Sequence, residues 1–306
     1  MDADDRLPGG GTQVARRPIG RAARRRLAAA QERVAPLLPA LRVAGFVAAV
    51  ALVVYIGIRA AGEVDLHDVA WWPLPLVLAG AATWWLLLAR GWALLVAGRG
   101  TRRDISVWAR TQALRFVPGG IWAPASRVAM VRGGAADKLA TVAGENALAL
   151  CAALTLGGAA LAASGRMPWV ALTAAVAVPL LAVRLLPADT PLTRARMARA
   201  TVNYLLAFLA YALAAALVQV AVSGSCDALA VAGAASVAWA AGLVVVFAPS
   251  GVGVRELVYI ELLSGTLPYA ELAAAAVTMR LAMIVAELAV LLVAGRPALP
   301  AHGDDP

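Results

Sequence analysis

Between Phe247 and Glu261 the chain reads FAPSGVGVRELVYIE, which places Pro249, Ser250, Gly251, Gly253 and the adjacent pair Arg255–Glu256 within one of its most hydrophobic parts. Glu145, Arg280 and Glu287 also fall inside apolar runs. A charged side chain at the centre of a bilayer costs about 2.5–3.5 kcal/mol on insertion scales. Five unpaired charges would cost on the order of 12–17 kcal/mol, comparable to the ~5–15 kcal/mol that keeps a domain folded. These groups are therefore expected to be paired, hydrated or close to an interface. Arg280 and Glu287 share one helix face by their spacing, and Arg255 or Glu256 is expected to meet the opposite charge there. The chemistry on offer is anion binding. Proline removes a backbone donor, glycine permits positive φ, and a helix restarting at Gly253 offers N–H groups and the positive end of its dipole beside Arg255. A lipid phosphate is the anion such a place suits.

A second stretch repeats the pattern. FVPGGI at Phe116–Ile121 and FAPSGV at Phe247–Val252 are both Phe-x-Pro-small-Gly-aliphatic, and Arg127 follows the first as Arg255 follows the second. Paired Gly/Pro interruptions in two halves of a hydrophobic chain point to a site built from discontinuous helices, with Pro118, Gly119 and Gly120 matching Pro249, Ser250 and Gly251. Two plainer readings stand beside this one. Proline and glycine also kink and pack transmembrane helices without a ligand, and buried ion pairs also fix helix register.

The elements that must position these residues are membrane helices. Apolar residues make up 62% of the 306, charged residues 15%, and the mean hydropathy is +0.78. Runs near twenty residues, the length that crosses ~30 Å of hydrocarbon, recur along the chain. The expected fold class is all-α: a polytopic helical membrane protein of about seven or eight membrane segments, two of them broken or re-entrant. Spans are expected at 42–61, 71–89, 139–163, 169–186, 201–222, 228–247 and 271–293. The segment 105–118 is weakly amphipathic, and 252–263 is too short to cross alone.

Residues 1–40 form a basic segment expected to be disordered, 41–295 the transmembrane domain and 296–306 a short tail. Arg16, Arg17, Arg21 and Arg24–Arg26 precede the first apolar run, which reads as a retained anchor with a cytoplasmic N-terminus rather than a cleaved signal. The formal net charge of +9 is thereby assigned to juxtamembrane arginines, and no nucleic-acid partner is expected. Loops rich in Arg at 99–103, 127–138 and 184–199 read as cytoplasmic, and those at 62–68 and 223–227 as external. Topology beyond 252 stays open. Arg90 and Arg184 read as snorkelling, Trp71–Trp72 as interfacial anchors, Trp84–Trp85 as packing, and Asn203 and Gln219 as helix–helix contacts. Cys151, Cys226, His67 and His302 lack metal-ligand spacing, so no metal or cofactor is expected. Only Lys138 among the 27 basic residues is a lysine, which suggests a GC-rich bacterial genome.

LRFVPGGIW followed by Arg127, then Glu145, PSGVGVREL and Arg280, resembles the lysylphosphatidylglycerol synthase transmembrane-region (flippase-like) family over about residues 42–293. Ser250 replaces the family's usual glycine. The resemblance implies a lipid-handling membrane domain without the soluble aminoacyltransferase domain of longer relatives, hence no synthase activity. It implies a phospholipid or lipid-linked glycan as cargo, a bacterial plasma-membrane location, and headgroup contacts from Arg255 and residues 250–253. Arg127 and Arg280 would add positive charge; Glu145, Glu256 or Glu287 would pair with them or bind a cationic headgroup. The competing reading is a non-transporting membrane partner of a cell-envelope glycosyltransferase. A lipid-phosphate enzyme lacks a nucleophile–base constellation.

Overall fold

The structure, a computed structural model, describes residues 54–58, 69–98, 101–112, 122–130, 135–166, 194–245 and 249–294, with the single positions 47, 51 and 114. The expected span at 169–186, most of the one at 42–61, and Pro118, Gly119 and Gly120 lie outside the described residues. Every regular element among those described is helical. In chain order these are α1 (Leu74–Ala97), α2 (Arg102–Gln112), α3 (Trp122–Met130), α4 (Ala135–Ala163), α5 (Arg194–Ser223) and α6 (Ala228–Val244). A 3-10 turn (Pro249–Gly251), α7 (Val254–Leu262) and α8 (Tyr269–Ala294) follow.

Helices α1, α4, α5 and α8 are long and apolar enough to cross a membrane, and α6 is a shorter apolar helix of 17 residues. Their outer faces fit that reading. Leu281, Val285, Leu288 and Leu292 form one exposed stripe on α8, and Val202, Leu206, Leu209 and Leu213 another on α5. Side chains this apolar, repeating on an outward helical face, are what lipid contact requires. The chain is a membrane-embedded helical protein.

Several helices run past the expected bounds. The second expected span continues to Ala97, so exposed Arg90 lies within α1 and not at its end. Helix α5 starts at Arg194, because Arg194, Arg196 and Arg199 are good helix formers that extend it beyond its apolar part. Thr101 caps α2 by accepting the Asp104 N–H at 3.2 Å, and α2 buries Trp108 while exposing Arg102, Arg103 and Arg110. Asp227 caps α6, its carboxylate accepting the N–H groups of Leu229 and Ala230 at 3.1 Å each.

Helix α1 packs on α5, α4 on α6, and α8 on α1. Small residues allow the closest approaches: a Cβ on Gly233 of α6 would lie 2.9 Å from the Gly157 carbonyl of α4. The two ends of the bundle differ in charge. At one end Gly98 abuts Arg196, a Cβ there falling 2.8 Å from its Nε, with Arg102, Arg103, Arg194 and Arg199 exposed nearby in sequence. At the other, Ala70 N–H donates to the Ala221 carbonyl at 2.8 Å, joining the start of α1 to the end of α5.

The path after α6 resolves what the sequence left open. Helix α6 starts at this second end, next to the end of α5. Leu262, at the end of α7, accepts a 3.2 Å bond from Arg166, which follows the end of α4. The Tyr259 hydroxyl donates to Gln219, one turn from the end of α5, at 2.7 Å. Helix α7 thus returns to the end where α6 began, and the pair forms a re-entrant hairpin. After the turn at 263–268, α8 runs from there toward the arginine-rich end.

Candidate functional site

The tip of the hairpin is irregular for identifiable reasons. Ser250, Gly251 and Gly253 have φ of 56°, 63° and 81°, in the left-handed region that disfavours a Cβ. Gly251 has a second constraint: a Cβ would lie 2.6 Å from Gly242 Cα and 2.9 Å from Arg255 Nε. The tip backbone therefore presses on α6, and the Arg255 side chain runs over both glycines. The Arg255 guanidinium lies 5.4 Å from the Trp239 ring centroid.

Glu256 and Arg280 meet here, as expected from sequence. Glu256 Oε1 is 3.6 Å from Arg280 Nε, while its Oε2 accepts the Gly253 N–H at 2.7 Å. Arg280 also donates from Nη2 to the Ser250 carbonyl at 3.3 Å. This corrects the expectation of free N–H groups where the helix restarts. The Gly253 N–H is occupied by the chain's own carboxylate, as in half of a capping box, and that carboxylate already answers the dipole of α7. Glu287 is buried on α8 but lines neither cavity described below.

A second cluster lies across the bundle. Arg127 on α3 is buried, pairs through Nη1 with Glu145 Oε1 on α4, and donates from Nη2 to Gln112 Oε1 at 2.5 Å. The same Glu145 oxygen accepts Trp108 Nε1 at 2.7 Å. The Arg127 guanidinium carbon is 5.8 Å from the Trp92 ring and 5.5 Å from the Trp108 ring. The other Glu145 oxygen, Oε2, is buried with no hydrogen-bond partner.

A cavity of about 180 Å³ joins the two clusters, with Arg127, Glu145, Tyr204, Trp239, Ser250 and Arg255 in its walls. A smaller one, about 50 Å³, lies on the other side of Arg255, against Glu256, Tyr259, Arg280 and Met283. Trp84, Ser250 and Arg255 border both. Arg255 thus stands between the clusters.

Sequence reasoning missed Trp108 and Gln112, which share a face of α2 at i, i+4, and Trp239 and Gly242, at i, i+3 on α6. Polar or aromatic pairs at helical spacing just before each broken segment were the available signal. It also missed the buried Tyr204. Trp84 and Trp85 are core residues in edge contact at 4.5 Å, and Trp85 donates to the Met283 carbonyl at 3.0 Å. Asn203 donates to the Leu87 carbonyl, tying α5 to α1. Trp71 and Trp72 are exposed.

No group of His, Cys, Asp or Glu suited to a metal ion occurs among the described residues. In the turn between α5 and α6, burial and then the negative charge of Asp227 push the Cys226 thiol above its ordinary range, which disfavours the reactive thiolate. The molecule is thus a membrane-embedded helical protein with two Arg–Glu clusters, one buried and one partly buried, around a re-entrant tip. No protein family profile, curated protein or solved structure matches this chain.

Proposed function

We propose that this chain is a flippase-like protein of the bacterial plasma membrane that handles a phospholipid or lipid-linked glycan through its phosphate. The observation that carries this reading is the cavity between Arg127 and Arg255, which brings two arginines and Glu145 together inside an apolar bundle. Buried ionisable groups in membrane helices characteristically mark substrate pathways. The sequence resemblance to the lysylphosphatidylglycerol synthase transmembrane region points the same way. In this reading the arginine-rich end faces the cytoplasm, together with the N-terminus, by the positive-inside rule. No catalytic step is assigned to the protein.

Reconstitution in proteoliposomes with reporter lipids bearing anionic, zwitterionic and aminoacylated headgroups tests the proposal. Wild type is expected to move an anionic phospholipid, and Arg255→Ala, folded as judged by its unfolding temperature, to lose at least about tenfold in rate. That factor corresponds to one lost charge-assisted contact of about 1.5 kcal/mol. Equal rates for wild type and Arg255→Ala would sink the assignment of the site.

A further inference from the structure

We infer that the 180 Å³ cavity is a site for one singly charged phosphodiester, and that Glu145 is its built-in competitor, holding Arg127 until the ligand displaces it. This rests on the lipid-handling reading and specifies the ligand and regulation of the same site.

The first argument is an inventory of unmet hydrogen bonds. Four wall residues each carry a buried side-chain donor with no partner: Trp84 Nε1, Arg127 Nε, Tyr204 Oη and Ser250 Oγ. Buried polar groups are overwhelmingly paired in native proteins, so four orphan donors around one cavity call for a ligand rich in acceptors. A phosphate diester offers acceptor oxygens and no donor. A cationic headgroup offers donors, which the Tyr204 and Ser250 hydroxyls can accept, but it leaves Trp84 Nε1 and Arg127 Nε unmet.

Charge and size narrow the ligand. The cavity wall carries Arg127 and Arg255 against Glu145, one positive charge in excess. A phosphodiester has one negative charge at neutral pH; a monoester has nearly two. An apolar cavity of ~150 Å³ holds benzene, so 180 Å³ admits the phosphate and its nearest carbons but not acyl chains.

The competitor is identified by asymmetry. Glu145 uses one oxygen for both Arg127 and Trp108, while Oε2 has no partner. The charged and titratable groups facing it are Arg127 from α3, Tyr204 from α5 and Arg255 across the cavity; α1, α2 and α6 contribute tryptophans and Gln112. A phosphodiester arriving at Arg127 meets the like charge of Glu145, an opposition that binding sites otherwise avoid. Glu145 must yield its place for the ligand to bind well.

Binding in detergent of dioctanoyl phosphatidylglycerol, glycerophosphoglycerol and neutral dioctanoylglycerol tests this. Wild type is expected to bind both phosphodiesters over the neutral lipid, Arg127→Ala neither, and Glu145→Gln both about tenfold more tightly than wild type. Stronger binding of the lipid than of glycerophosphoglycerol assigns the phosphate to a lipid source; equal binding assigns it to the free diester. Unchanged or weaker binding by folded Glu145→Gln overturns the competitor role, since a merely structural ion pair predicts that result. If Glu145→Gln does not fold, Glu145→Asp, which draws the carboxylate back, must shift affinity in the same direction or the inference fails. Equal binding of neutral and phosphodiester lipids removes the oxyanion site but leaves lipid handling standing. No binding of any probe by wild type removes both.

Discussion

The two Arg–Glu clusters use the same residue types differently. At the hairpin tip both Glu256 oxygens are engaged, one by the Gly253 backbone and one by Arg280, and Arg280 in turn holds the Ser250 carbonyl. Between α3 and α4, Glu145 engages one oxygen only, and Arg127 keeps an unmet Nε. A carboxylate bonded to backbone fixes the path of a chain, whereas one bonded only to side chains can be exchanged. The contrast separates an ion pair tied to backbone from one held by side chains alone more sharply than burial, which is nearly equal: Glu256 is 3% exposed and Glu145 6%.

The largest effect is expected at the tip. Glu256→Ala leaves Arg280 without its carboxylate and Gly253 without its acceptor, and should destabilise the protein by about 3–5 kcal/mol. Glu145→Ala should lose less, about 1–3 kcal/mol, because Arg127 retains Gln112 and two tryptophan faces. Chemical unfolding in detergent measures both; the reverse order would break the distinction. Gly251→Ala falls between these two, at about 2–4 kcal/mol, since it combines a positive φ with backbone contact to Gly242. An unfolding midpoint equal to wild type would mean that the tip does not press on α6. The smallest change sharpens the comparison. Ser250→Gly should stabilise the tip by up to about 1 kcal/mol by relieving a left-handed non-glycine residue, partly offset by unfolded-state entropy. A measurable loss instead would reveal that the Ser250 hydroxyl does structural work at the tip.

Much of this arrangement was legible in the sequence. The spans expected at 71–89, 139–163, 201–222 and 271–293 follow from hydropathy, whereas the one expected at 228–247 is an arm of the hairpin; the break at 249–253 follows from proline and glycine within an apolar run. The meeting of Arg280 with Glu256 follows from the cost of leaving either alone in lipid. The re-entrant path of α6 and α7 was not legible, because it depends on where Leu262 and Tyr259 land against α4 and α5, and a nine-residue helix carries no record of its direction. The capping role of Glu256 was written in the sequence as its position three residues after Gly253. It was overlooked because the charge pair with Arg255 read as a ligand site. Tyr204 gives no signal at all, since aromatic residues in membrane helices are ordinary packing.

The depth of the hairpin tip has an electrical consequence. Arg280 lies near the middle of the 26-residue α8 and holds the tip by the Ser250 carbonyl, so the site lies about halfway along a helix long enough to cross the hydrocarbon. Moving one charge through a whole membrane potential is worth about 2.3 kcal/mol per 100 mV, so reaching this depth takes roughly half of that. An anion entering from the negative side gains about that energy, and one entering from the positive side spends it. For the anion site proposed above, membrane voltage therefore bears on how full the site is.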